Sequence, residues 1–162
     1  MPVLVVLVVL VNVRGGSDDG PAADVDGTTA PQRAEDLPVL PVEVPPPTPE
    51  ADANCPALMA ALPLDLTGEP ARLVDSDTPY AAAWGDPAVV LVCGVPQPAG
   101  LVAGEGLLQI DRVTWFVEQT DEATTWTAVD RAALVQVTLP PDVDSAPVTV
   151  LSGVLGDTLP AL

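Results

Sequence analysis

The chain has 162 residues, enough for one domain with a real core and shorter flanking segments. Its 23 acidic residues stand against five arginines and no lysine, and the resulting net charge of −18 repels nucleic acid and anionic membrane surfaces. There is no histidine, so Ser-His-Asp and Cys-His nucleophiles, histidine-ligated zinc and imidazole proton shuttles are all excluded.

In chain order, Val3 to Val11 is an unbroken apolar run closed by Asn12, Val13 and Arg14. It is shorter than the roughly 20 residues that span a bilayer. It fits the hydrophobic region of a signal peptide or the clipped end of a membrane segment, although only Met1 and Pro2 stand where a basic stretch is expected. A buried strand is the alternative for a valine-rich run. Residues 1–14 are therefore expected to be a truncated membrane segment or signal-like hydrophobic region. Residues 15–54 are expected to be an acidic, Pro-rich, disordered linker, because Pro38, Pro41, Pro45, Pro46, Pro47 and Pro49 forbid regular ladders and favour extended polyproline. Asp24 to Gly27 starts like a calcium loop but lacks its later acidic positions, which points to a solvated turn.

From Cys55 to Leu162 the texture is that of a small α+β domain. Pro56 predicts the first turn of a short helix that Pro63 stops. Thr78 as cap, Pro79 and a left-handed Gly85 predict a second short helix over Tyr80 to Trp84. Strands are expected at Val89–Val92, Val113–Val117, Thr125–Val129 and Leu134–Leu139. In the last of these Val135, Val137 and Leu139 share one face, with Gln136 and Thr138 on the other. Val148 to Leu159 has helical spacing of its apolar residues. The expected fold is α+β, a mostly antiparallel sheet of about four strands covered by two or three short helices.

Cys55 and Cys93 are the only cysteines and lie far from Cys-x-x-Cys spacing, so a redox dithiol and a cysteine-only zinc site are disfavoured. Behind an export-like segment the two read as one structural disulfide. Asp75 with Asp77, and Asp142 with Asp144, lie in Pro-flanked turn-like stretches where Asp serves local backbone bonding. Arg72, Arg112 and Arg131 are the only basic groups after residue 54, and ion pairs are expected for them. Trp84, Trp115 and Trp126 are the large aromatic anchors. Packing is their ordinary role; the sharper expectation is that Trp84 or Trp126, near Arg131, lies on a partner-binding surface.

The segments "CPALMAALP", "AAWGDPAVVLVCGVPQP", "VTW", "TTW" followed by Arg131, and "VQVTLP" resemble an actinobacterial, membrane-anchored family catalogued as domain of unknown function 3515. The resemblance covers residues 55 to about 160. It implies an extracytoplasmic domain on a single N-terminal membrane tether, and it implies no activity and no site residue.

The functional expectation is a non-enzymatic cell-envelope protein whose tethered or secreted domain binds an envelope protein or another neutral to basic ligand. No cofactor, metal or catalytic residue is expected, and membrane contact only through the N-terminal segment. The alternative is a carboxylate-based cell-wall hydrolase or accessory domain with a tryptophan-lined groove.

Overall fold

The computed structural model describes residues 34–101 and 105–162. The expected membrane segment at residues 1–14 lies outside them, as does the first half of the expected linker. A 3-10 turn over Ala34–Asp36 leads into strand β1, Leu40–Pro41, and helix α1, Pro49–Ala61. Strands β2 to β10 follow at Asp65–Leu66, Glu69–Arg72, Val74–Asp75, Ala81–Trp84, Val89–Cys93, Leu107–Ile110, Val113–Gln119, Thr124–Ala128 and Val135–Leu139. Helix α2, Ala146–Thr158, is the last element.

The fold is α+β with one large antiparallel sheet of eight strands, in the order β2-β3-β5-β6-β10-β9-β8-β7. The four expected strands form its centre. The sheet is twice the expected size because short strands without a clear apolar alternation, such as Glu-Pro-Ala-Arg in β3 and Leu-Leu-Gln-Ile in β7, pair onto that centre. Tyr80 to Trp84, expected as a helix, is instead mostly strand β5, whose Ala81 to Trp84 pair with Val89 to Val92 of β6. Gly85 does take the left-handed conformation, at φ +72°, but in the hairpin turn between those strands rather than at a helix end.

Two more corrections concern the Pro-rich stretch. Its second half packs on the domain: Leu40 and Pro41 pair in parallel with Val74 and Asp75 of β4, and Arg72 Nη2 donates to the Pro38 carbonyl at 2.7 Å. The first helix starts at Pro49, well before the start that Pro56 predicts. Thr48 is its N-cap, accepting from the Ala51 amide at 3.2 Å, and Pro49 occupies the first turn, where its missing N–H costs nothing. Pro56 thus lies inside the helix.

Both helices cover one face of the sheet. Ala51, Cys55 and Leu58 of α1 and Val148, Leu151 and Leu155 of α2 form a single buried core with Leu91, Val135, Val137 and Leu139. The apolar stripe expected for Val148 to Leu159 is the one buried here. All three tryptophans join this core, and Trp115 Nε1 donates to Ser152 Oγ of α2 at 2.9 Å. Cross-strand partners in an antiparallel sheet point to the same side. The alternate residues therefore form the opposite face, where no helix of the described residues lies.

Candidate functional site

Cys55 and Cys93 are joined, with Cα atoms 5.8 Å apart, and the bond ties α1 to the end of β6. Gly94 follows at φ +87°, and a Cβ there would come 2.7 Å from the Cβ of Ala51, so only glycine lets helix and strand approach this closely. Tyr80 adds a second tie by donating to Asp52 Oδ1 at 2.7 Å. That hydrogen bond, with burial and the Asp52 charge adding to it, holds the phenol above its ordinary value of 10.0.

The residues expected to meet a partner lie inside the domain. Trp84, Trp126 and Arg131 are only 1, 8 and 4% exposed. Trp84 and Trp126 occupy inward positions of their strands; Trp84 Nε1 donates to the Pro63 carbonyl, and Trp126 meets Trp115 edge to face. Arg131 donates to the carbonyls of Arg112 and Leu159 and pairs with Asp130, so its guanidinium fastens the C-terminal segment. Arg112 pairs with Asp157 at 2.6 Å, and Arg72 serves Gly85, Pro38 and Asp86. Each of these three arginines is engaged locally, in an ion pair as expected. With every tryptophan in the core, a tryptophan-lined groove is ruled out.

The open face of the sheet holds the site that sequence reasoning missed. A lateral row crosses five strands there: Val92 pairs with Gln136, Gln136 with Thr127, Thr127 with Phe116, and Phe116 with Leu107. Val92, Gln136 and Thr127 form the floor of a cleft of about 770 Å³, within the usual range for ligand sites. One wall is the segment Val95–Ala99, rich in proline; the other is Glu43–Pro45, the stretch expected to be a free linker. The rim carries Glu43, Asp77 and Glu118, all exposed and without an ion pair among the described residues. No Arg lines it. The carboxylates are spread around the rim, since among the described residues no three acidic or thiol groups are gathered closely enough to hold a metal ion.

Thr127 is the unusual member of the floor. It is 1% exposed, and its hydroxyl finds no hydrogen-bond partner among the described residues. A buried polar atom left unpaired is costly and rare. The clue available in the sequence was the polar side of the last strand, Gln136 and Thr138, and the alternation in Thr-Thr-Trp-Thr. That alternation separates Trp126 from Thr127, but it does not say which loops wall the polar side.

Fold and cleft together define a disulfide-bridged α+β sheet domain, armoured by helices on one face and carrying an acid-rimmed cleft on the other. Residues 1–162 match the family described as "Protein of unknown function (DUF3515)", and the chain belongs to that family. No curated protein and no solved structure matches it.

Proposed function

We propose that this chain is a non-enzymatic binding protein of the cell envelope, held outside the cytoplasmic membrane, whose cleft takes a neutral or basic partner. The observation that carries this reading is the cleft on the face opposite the two helices, rimmed by Glu43, Asp77 and Glu118 and, among the described residues, lined by no cation. In a chain of net charge −18 such a rim repels anions and favours partners without negative charge. The Cys55–Cys93 bond supports an oxidising compartment.

Site-directed photo-crosslinking in intact cells tests it. The chain has no lysine, so amine-directed reagents find no side chain to attack. A photoreactive amino acid at Gln97, exposed on the cleft wall, should capture a discrete envelope partner; one at Thr149, exposed on α2, should not. Equal capture at both positions, or none at Gln97, overturns the proposal.

A further inference from the structure

Resting on that reading, we infer that the cleft's partner presents an extended basic peptide segment, with its Lys or Arg side chains meeting Glu43, Asp77 and Glu118 and its backbone meeting Thr127 and Gln136. Four observations converge on this chemistry. The three rim carboxylates are exposed and pair with none of the arginines among the described residues, so their charge is available to a ligand. They are not gathered as a metal site, so the complementary charge is distributed along the ligand rather than concentrated in one ion.

The floor supplies the third. Thr127 offers a buried, unpartnered hydroxyl beside the Gln136 amide, and a peptide backbone has the donors and acceptors that would satisfy both. Shape is the fourth. The cleft continues past Pro45, Val95 and Pro96 into a second hollow of about 450 Å³ between Thr48, the N-cap of α1, and Ala132–Leu134. A single small amine would leave that extension empty; a chain of several residues follows it.

The probe is a dye-labelled peptide of alternating lysine and alanine, titrated against the full chain by fluorescence polarisation at about 150 mM salt, where long-range attraction is screened. The bulk charge of the protein is the rival cause of binding, so two charge-matched variants are compared. Asp77→Asn with Glu118→Gln should weaken binding about fivefold or more, in line with the loss of two rim ion pairs. Asp121→Asn with Asp142→Asn, both exposed and neither lining the cleft, should leave it within about twofold. Thr127→Val keeps the side chain's shape and should weaken binding while the melting temperature holds or rises. The lysine-acetylated peptide should not bind, and cadaverine should not displace the probe.

Equal losses in the two charge pairs, displacement by cadaverine, or unchanged binding by Thr127→Val would each overturn the inference. If the peptide fails to bind while Gln97 still captures a partner in cells, the peptide chemistry is wrong and the envelope-binding function stands. If both fail, both fall.

Discussion

Tyr80 donates its phenolic hydrogen to Asp52, one turn of α1 before the cysteine that is bonded to Cys93. The backbone closes the figure, because the Cys93 amide donates to the Tyr80 carbonyl at 2.9 Å. Helix and sheet are thus held together by a covalent bond and a hydrogen bond that share their neighbourhood.

Tyr80 is the only tyrosine, so phenolate absorbance reports it alone. Its raised value means that the fold favours the protonated phenol. Below pH 10.0 this contribution to stability is fully present. Above it the unfolded chain loses its proton while the folded chain keeps its own, so stability falls as pH rises through the interval up to the folded value. The titration should therefore lie above 10.0, and Asp52→Ala should bring it down toward that value. A wild-type midpoint at or below 10.0 contradicts the bond.

Alkylation of the purified protein without reductant should add no label to Cys55 or Cys93. Replacing both by alanine opens a loop of 38 residues and should cost about 4 kcal/mol in the chain-entropy treatment, read from denaturant midpoints. Two labels, or an unchanged midpoint, would refute the structural role.

Arg131→Ala and Trp126→Ala should both damage folding. The first removes the guanidinium donor from the carbonyls of Arg112 and Leu159 and the ion-pair partner from Asp130, for a loss of about 3 kcal/mol. The second removes a core ring that meets Trp115 at 6.3 Å between centroids, for about 3 to 5 kcal/mol. Thermal melts decide it: wild-type stability in either variant would return these residues to the surface role that their types suggest.

Thr127→Val should stabilise the domain by about 1 kcal/mol, because it removes a buried hydroxyl that the fold leaves unsatisfied. A fall in stability of that size would show that the hydroxyl serves the fold instead.

The centre of the fold was legible because its strands carry strong β-formers, and because two isolated cysteines have one way to pair. The edges were not. Ala81 to Trp84 followed a cap-like Thr-Pro and held three alanines, a local preference for helix that pairing with Val89–Val92 overrode. Thr48 and Pro49 formed a good helix start, yet the surrounding prolines suggested a linker and hid it. The cleft was the least legible part, since Glu43 and Asp77 lie just beyond the paired strands β1 and β4 while Glu118 lies on β8, three distant segments that only the tertiary fold brings to one rim.

Inner and outer positions alternate along the two central strands that form the cleft floor. On β9, Trp126 and Ala128 lie in the core while Thr125 and Thr127 face the other way; on β10, Val135, Val137 and Leu139 alternate with Gln136 and Thr138. A substitution scan along either strand should therefore read as a period-two comb, with losses of folding at one set of teeth and changes of partner preference at the other. Such a sheet can exchange one clientele for another by editing every second residue, leaving its keel intact.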